Sequence, residues 1–384
     1  MSQYPGIFNG LIAAGVVQAI AACWFLGRRP LKDTSLQLLR VLLVVLGLLA
    51  VKILLHTAGG WQAPGLRYFP LAIDTLVAPL FYAYTGSLVN KDFKLSKKWW
   101  PHVAIPTIFM VHALVVYGVT LGVGDLAAKD VMAASMGYNE VKWWEDVVTL
   151  ITALLYWTLS WIKVRRYRQW LFAHESATRY QELTWLRNLL LVTAILVILL
   201  TVSSLAANIL YWQGSFYYLV VFYVYLILLI YYLSYREAGW ASPGSEQVVT
   251  NVPSAEVVQV LPAIQVSEQD NKLQERLLQL MQEQKPYLDP ELNLATLASL
   301  VGAPATQVSQ VINSGLGQNF RNWVNGYRVE EVKQRLNDPA FAHLNMTGIA
   351  FDCGFNSEAS FYRIFRQFTG QSPKSYSALR TKEP

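Results

Sequence analysis

Two stretches near the C-terminus of the chain have a similar arrangement of small, apolar and polar residues. In the first, Ala298 stands four residues before Gly302, and Val308 and Val311 follow at helical spacing. The second lies about 50 residues later, around Gly354, and its turn is one residue longer, because Phe361 falls one place later after its glycine than Val308 does. A small alanine lets a second helix cross closely, glycine permits the positive φ of a tight turn, and the valines hold the second helix in place. Polar side chains that then point outward can hydrogen-bond to base edges in the major groove of DNA.

This spacing predicts two helix-turn-helix units, at about residues 292–316 and 346–370. One unit alone is weak evidence, because a generic helix pair with a glycine turn has the same pattern. Two units favour a DNA-binding domain, with Arg366 and Lys374 neutralising phosphates and the other side chains reading bases. The predicted DNA contacts are Thr306, Gln307, Gln310, Asn313, Ser357, Glu358, Tyr362, Arg363, Arg366 and Lys374.

The segment Leu294–Leu379 resembles the DNA-binding domain of the AraC/XylS family of transcriptional regulators. The resemblance implies two recognition helices, Ala305–Ser314 and Ser357–Gln367, in successive major grooves on one face of the DNA. The chain departs from the family at Gln310, where a basic residue is common. Residues 271–384 also carry a net charge of only about +2, from twelve basic and ten acidic side chains. The matching motifs are Gly317–Phe320, Tyr327–Glu330, Ile349–Ala350, Cys353–Phe355, Ser360–Phe365 and Gly370–Tyr376.

The first 236 residues have a different composition and predict a bundle of transmembrane helices. Hydrophobic residues make up 54% of the whole chain and charged residues 15%, against roughly 25% charged in an average soluble domain. Seven apolar segments approach the roughly 20 residues that a spanning helix needs. We therefore predict an all-α protein, with a seven-helix transmembrane sensor domain over residues 1–236. The segments are Gly6–Gly27, Leu36–His56, Phe69–Val89, Pro101–Leu121, Trp143–Ile162, Leu189–Leu210 and Phe216–Tyr235.

Lysine and arginine are unevenly distributed among the loops between these segments. The loops after the first, third and fifth segments are rich in both residues, whereas the alternate loops hold few. Basic loops stay in the cytoplasm, so this alternation predicts an external N-terminus and a cytoplasmic C-terminal domain. The predicted location is a bacterial cytoplasmic (inner) membrane, crossed several times. A multi-span membrane half joined to such a domain resembles a membrane-anchored subgroup of the same family. This resemblance is looser than that of the C-terminal domain, because it rests on architecture and not on sequence motifs.

Several polar residues lie within the apolar segments, where ionisable groups are costly and usually functional. Lys52 and Asp74 fall at similar depth near the outer end of their segments and can pair. The polar groups as a whole gather toward the outer side, which predicts a signal pocket open to the outside. The alternative is a structural ion pair with interfacial residues that reach water. The candidate pocket residues are Lys52, Asp74, His112, Glu145, Asp146 and Tyr223.

Residues 237–270 are interrupted by Pro243, Gly244, Pro253 and Pro262 and contain frequent serine, glutamate and glutamine, which predicts a flexible cytoplasmic linker. The domain that follows, residues 271–384, opens with an amphipathic helix over Asn271–Lys285. The apolar face of that helix either packs onto its own domain or forms a dimer contact. A second amphipathic helix, Phe320–Leu336, joins the two helix-turn-helix units.

The leading hypothesis is a one-component transcriptional regulator that senses a signal in its membrane helices and binds promoter DNA. Its partners would be double-stranded DNA, the lipid bilayer and a small-molecule or membrane-derived signal; a homodimer and RNA polymerase are further partners it allows. One alternative is a transporter or channel with a regulatory tail, and another is an intramembrane enzyme that uses His112 and an acid. The two cysteines, Cys23 and Cys353, form neither a disulfide framework nor a zinc motif, so no cofactor, metal or catalytic residue is predicted.

Overall fold

The computed structural model describes residues 6–28, 34–90, 92–96, 99–177, 182–209, 215–237 and 268–380. These residues form helices and connecting turns without a β-strand, which confirms the all-α class. The chain divides into two compact units. Unit 1 comprises residues 1–164 and 184–243, and unit 2 comprises residues 165–183 and 244–384.

Unit 1 contains the apolar helices of the chain. Four of them, Gly6–Gly27, Thr34–Thr57, Trp100–Thr120 and Tyr138–His174, are long and apolar enough to cross a membrane. The described apolar stretches Thr184–Leu199 and Val220–Tyr235 are shorter. The predicted count of seven spans therefore stays a prediction. The helices are α1 Gly6–Gly27, α2 Thr34–Thr57, α3 Asp74–Val89, α4 Trp100–Thr120, α5 Leu126–Ser135, α6 Tyr138–His174, α7 Thr184–Ile209 and α8 Ser215–Glu237.

Helix α3 is shorter than predicted, because it begins at Asp74 and not at Phe69. Pro70 disfavours helical backbone at the residue before it, and Tyr68 has a positive φ of 65°. The resulting 16 residues extend about 24 Å at 1.5 Å per residue, less than the roughly 30 Å of a bilayer core. The short helix α5 was not predicted from the sequence. Asp125 caps this helix, because its carboxylate accepts a hydrogen bond from the Ala128 amide at 2.8 Å.

Small residues bring three helices of unit 1 together. A Cβ atom added at Gly15 of α1 would lie 3.2 Å from the Ile227 side chain of α8. A Cβ atom added at Gly47 of α2 would lie 3.0 Å from the Cβ atom of Ala19. Close approach at small residues is a common way for helices to pack in a membrane.

Unit 2 is built around two hydrophobic cores that share one long helix, α12. Phe320, Trp323 and Val324 lie in the first core, and Val329 and Val332 lie in the second. The helices of this unit are α9 Glu268–Glu283, α10 Leu294–Val301, α11 Ala305–Gln310, α12 Phe320–Arg335, α13 Met346–Asp352, α14 Glu358–Thr369 and α15 Pro373–Arg380.

The apolar face of α9 packs into the first core through Leu273, Leu277, Leu280 and Met281. The helix therefore stabilises its own domain, and this face is not free for a dimer contact. It begins three residues earlier than predicted, at Glu268. Most of the predicted linker, residues 238–267, lies outside the described residues.

A segment between the fifth and sixth predicted spans belongs to unit 2. Residues 165–183 were assigned from the sequence to the transmembrane half, yet they group with the C-terminal helices. Arg165 to His174 form the last turns of α6, and the backbone of Glu175 forms an isolated β-bridge with Asn293. We call residues 175–177 with Glu182 and Leu183 the docked segment.

Candidate nucleic-acid interface and ligand cavity

The first helix-turn-helix unit consists of α10 and α11, joined at Gly302. Asn293 begins the unit, because its side chain caps α10 by accepting a hydrogen bond from the Thr296 amide at 2.9 Å. Gly302 adopts the predicted positive φ, at 67°. Val308 of α11 is fully buried and holds the helix against the first core. Beyond Gln310 the chain continues as a π-helical turn, so the predicted recognition helix is regular only in its first half.

The four side chains predicted to contact DNA here differ in exposure. Thr306 and Asn313 are exposed, whereas Gln307 and Gln310 are half-buried. The Asn313 amide donates to the carbonyl oxygen of Ser309 at 2.8 Å and to its hydroxyl at 3.2 Å. These local bonds occupy the side-chain amide group of Asn313.

The second helix-turn-helix unit consists of α13 and α14, joined at Gly354. Asn345 caps α13 by accepting from the Gly348 amide at 2.7 Å. Gly354 has a φ of 86°, and a Cβ atom there would lie 2.4 Å from the Tyr287 carbonyl oxygen. Both facts require glycine at this turn. Ser357 is the N-cap of α14, and its hydroxyl oxygen accepts from the Ser360 amide at 3.3 Å; its predicted DNA contact stays a prediction.

Helix α14 has one apolar face and one polar face. Phe361, Ile364 and Phe365 are buried in the second core. The polar face carries most of the remaining predicted DNA contacts. Glu358, Arg363 and Arg366 of α14 and Lys374 of α15 are exposed, and Tyr362 is half-buried.

Arg363 has a partner within unit 2 that the sequence did not indicate. Its Nη2 atom donates to Oε1 of Glu182 at 2.8 Å, and 47% of its side chain remains exposed. The same carboxylate oxygen lies 3.6 Å from Nε of Arg321. Glu182 thus sits between a predicted base-reading arginine and a buried one.

Two arginines of α12 are buried, although the sequence marked them only as basic residues of an amphipathic helix. Arg321 donates through Nη1 to the carbonyl oxygens of Ala177 at 2.9 Å and Glu175 at 3.2 Å. Arg328 donates to Tyr287 O at 2.7 Å, Ser176 O at 3.0 Å and Asp289 O at 2.7 Å. Burial lowers the pKa of Arg328 to about 9 and also lowers that of Arg321. Arginine stays protonated in proteins, so both buried charges need partners. The backbone oxygens supply them for Arg328, and Arg321 has the Glu182 carboxylate in addition.

Unit 1 contains a cavity of about 250 Å³. Aromatic side chains form much of its wall, and its ionisable side chains are those of Lys52, His56, His112, Lys142 and Glu145. The Tyr68 hydroxyl donates to Oδ1 of Asp130 at 2.8 Å, which fixes that part of the wall. The aromatic lining residues are Trp61, Tyr68, Phe69, Phe109 and Tyr138.

The charged groups at this cavity are paired. Lys52 forms the predicted ion pair with Asp74, which is confirmed. Lys142 lies 3.0 Å from Oε2 of Glu145 and 2.9 Å from Oδ1 of Asp146. The other oxygen of Glu145, Oε1, is buried and has no hydrogen-bond partner among the described residues.

Three of the six predicted pocket residues do not line the cavity. Asp74 is turned toward Lys52, in the ion pair just described. The Asp146 side chain is 64% exposed, because it follows Glu145 directly and so faces about 100° away around the helix. Tyr223 packs instead against Phe8, with ring centroids 6.0 Å apart.

The fold and the two capped, glycine-turned helix pairs define a helix-turn-helix DNA-binding domain. More particularly, residues 297–378 match a family model described as "Helix-turn-helix domain", and this C-terminal domain is of the AraC type. Uncharacterized HTH-type transcriptional regulators of Staphylococcus aureus strains MSSA476, N315 and MW2 are similar, with 34% identity over 94 residues. The match covers 24% of this chain and 12% of each relative. Among solved structures, a Listeria innocua protein of unknown function aligns at 27% identity, over 27% of this chain and 94% of that protein, with a TM-score of 0.24.

Proposed function

We propose that the chain is a membrane-embedded, one-component transcriptional regulator. It senses a small molecule through its apolar helices and binds promoter DNA with its two helix-turn-helix units. The observation that carries the proposal is the presence, in one chain, of a DNA-binding domain and four helices able to span a membrane.

The exposed surface of unit 1 supports the membrane assignment. Ile7, Val17 and Ile108 are 82%, 66% and 66% exposed, respectively. At most 50% of the residues in any of the four spanning windows are buried. Exposed apolar surface costs about 25 cal/mol per Å² in water, and extended apolar surfaces of this kind mark contact with another protein or with lipid. Lipid contact suits helices of this length.

The cavity in unit 1 is the proposed signal site. Oε1 of Glu145 is a buried acceptor that receives no hydrogen bond from the part of the chain that the structure describes, and a group of this kind is costly unless something donates to it. Aromatic walls such as Trp61 and Tyr138 favour a compact organic body, and they also favour a cation over the ring face. The proposed ligand is therefore a small organic molecule with a hydrogen-bond donor, such as an amine, for Glu145.

The sensing role is tested by replacing Glu145 with glutamine in the full chain. The amide still accepts a hydrogen bond but loses the charge that favours a cationic donor. We expect the variant to lose its stabilisation by arylalkylamines in a thermal-shift screen in nanodiscs. Glu140→Gln, an exposed change on the same helix, is the control and should behave as the unmodified protein. Equal responses in all three proteins would remove Glu145 from the signal site.

DNA binding by one copy is expected to be weak, because the domain carries little net charge and phosphate neutralisation supplies much of the affinity. Two copies held close in the membrane would gain affinity through their effective concentration without new contacts. We propose that a homodimer occupies paired DNA sites and that promoter-bound copies meet RNA polymerase.

The DNA-binding role is tested by chromatin capture of the full-length protein, followed by sequencing. We expect enrichment of a small set of promoter fragments that share a motif. An Arg363→Ala, Arg366→Ala double variant should lose that enrichment. The matched control is Lys272→Ala, which removes an exposed positive charge from α9, a helix outside both helix-turn-helix units. No enrichment for the unmodified protein, or equal enrichment for all three, would contradict the proposal.

A further inference from the structure

We propose that the docked segment competes with DNA for the second helix-turn-helix unit and so holds the regulator in a resting state. This inference rests on the proposed function, since it concerns how that same DNA-binding surface is regulated. The segment keeps Arg363 from the base edges until a signal releases it.

The first support is the way the segment is anchored. Ser176 and Ala177 are fully buried. The Ser176 amide donates to the Leu292 carbonyl oxygen at 3.4 Å, and its hydroxyl donates to the same atom. The backbone of this stretch supplies acceptors to Arg321 and Arg328, as described above. Buried cations are stable only when such partners are present, so the two buried arginines of the DNA-binding domain form a binding site for residues 175–177.

The second support is the chemistry of Glu182. Its carboxylate binds Arg363 as a phosphate or the acceptor edge of guanine would, since all three accept hydrogen bonds from a guanidinium group. Only 15% of the Glu182 side chain is exposed, against 47% of the Arg363 side chain, so solvent screens the pair in part. DNA cannot use Arg363 fully while Glu182 holds it.

The third support is the scarcity of positive charge. Arg363 and Arg366 are the two basic residues of α14, and the net charge of the domain is low. The loss of one guanidinium contact therefore removes a large share of the positive charge with which the second recognition helix can bind DNA. Occupation of a single arginine by a carboxylate is enough to shift the affinity.

The covalent chain offers a route by which a signal reaches this contact. Helix α6 runs without interruption from Tyr138 to His174. It carries Lys142 and Glu145 at the cavity and leads directly into the docked segment. Because a helix is a stiff element, a rotation or shift favoured by a bound ligand would be felt at its last turn. The ligand needs only to prefer one of the two arrangements.

The test compares DNA affinities of the full-length protein in nanodiscs, using a promoter fragment recovered by chromatin capture. Glu182→Gln should bind about five-fold more tightly than the unmodified protein, the gain expected from removing one partly exposed ion pair. Glu182→Asp keeps the charge but is one methylene shorter, and should fall between the two. The charge-matched control is Glu268→Gln, which is exposed on α9 and pairs with Lys272; its affinity should match that of the unmodified protein. In an Arg363→Ala background, Glu182→Gln should have no further effect.

Amide hydrogen exchange gives a second measurement that does not depend on a variant. Saturation with the same fragment should speed exchange at the amides of Glu182 and Leu183, because DNA takes Arg363 away from the Glu182 carboxylate. Equal affinities of the unmodified protein, Glu182→Gln and Glu268→Gln, or unchanged exchange at these amides, would overturn the inference alone. Failure of every protein to bind any recovered fragment would overturn the proposed function and this inference with it.

Discussion

Arg328 and Ser176 are 152 positions apart in the chain and form two buried hydrogen bonds. Nη1 of Arg328 donates to the Ser176 carbonyl oxygen at 3.0 Å, and Nη2 donates to the Ser176 hydroxyl at 3.1 Å. A residue that follows the long helix α6 is thus part of the interior of the DNA-binding domain. The stability of that domain therefore depends on a segment that a sequence-based boundary assigns elsewhere.

Replacement of Arg328 by lysine should destabilise unit 2 by about 2–4 kcal/mol. Lysine keeps the charge but has no planar fork to reach all of these acceptors, so buried oxygens lose their donors. The measurement is amide exchange of α12 in the full-length protein. Lys272→Met, at a side chain that is 70% exposed, should change stability by less than about 0.5 kcal/mol. Similar exchange in both variants would show that the fork of Arg328 is dispensable.

Arg363 and Arg366 should contribute to DNA binding in different ways. Arg363→Ala should cost about 1–3 kcal/mol and relax the preference for one base pair, because we expect this side chain to read a base edge. Arg366→Ala should weaken binding to all sequences alike and lower the dependence of affinity on salt, as expected for a phosphate contact. The measurement is a set of binding isotherms on single-base variants of a captured fragment at several salt concentrations. Equal, sequence-independent losses would contradict the base-reading role of Arg363.

Cys353 should resist alkylation while the protein is folded. Burial in the second core leaves its side chain without exposure and raises the pKa of the thiol to about 12 from the ordinary 9.0. The thiolate is the reactive form, so at pH 8 both access and ionisation are suppressed until the domain unfolds. Mass spectrometry after a maleimide pulse, in a Cys23→Ser background, measures the protection. Rapid labelling of the folded protein would mean that the second core opens readily.

Reporter fusions should locate the C-terminus in the cytoplasm and the N-terminus outside. The reason is the alternation of basic and non-basic loops along the first 236 residues. The measurement uses a phosphatase that is active only outside the membrane and a fluorescent protein that folds only inside. A C-terminal phosphatase that is active would contradict both the orientation and DNA binding in the cell.

Ten glycine and serine residues inserted near Ser254, in the linker outside the described residues, should change the signal response little. Effective concentration falls slowly with tether length, and α6 offers a route that bypasses the linker. The same insertion between Ala177 and Glu182 should abolish the response, because it uncouples Glu182 from the end of α6. Reporter output from a captured promoter measures both. Loss of the response after the linker insertion, with the protein still folded in the membrane, would indicate a rigid linker instead.

Features that depend on neighbouring residues could be predicted from the sequence. The two helix-turn-helix units were predictable because glycines at positive φ, caps and apolar positions at helical spacing act within a few residues of one another. The apolar helices of unit 1 were recognisable from the length and hydropathy of each stretch. The Lys52–Asp74 pair was predictable because similar depth in neighbouring segments limits which partners are possible.

Contacts between groups far apart in the chain could not be predicted from the sequence and become visible in the fold. Arg321 and Arg363 looked like surface or DNA-contacting cations, but both are within 4 Å of Glu182, which precedes them by well over a hundred residues. Backbone carbonyl oxygens bind both buried arginines of α12. Every residue has a backbone carbonyl group, so a sequence pattern cannot show which of them will bind an arginine. Packing across the whole of unit 2 determines which side chains are buried, because its hydrophobic cores form from segments far apart in the chain. Burial in turn determines which protein atoms can satisfy the charge of such a side chain.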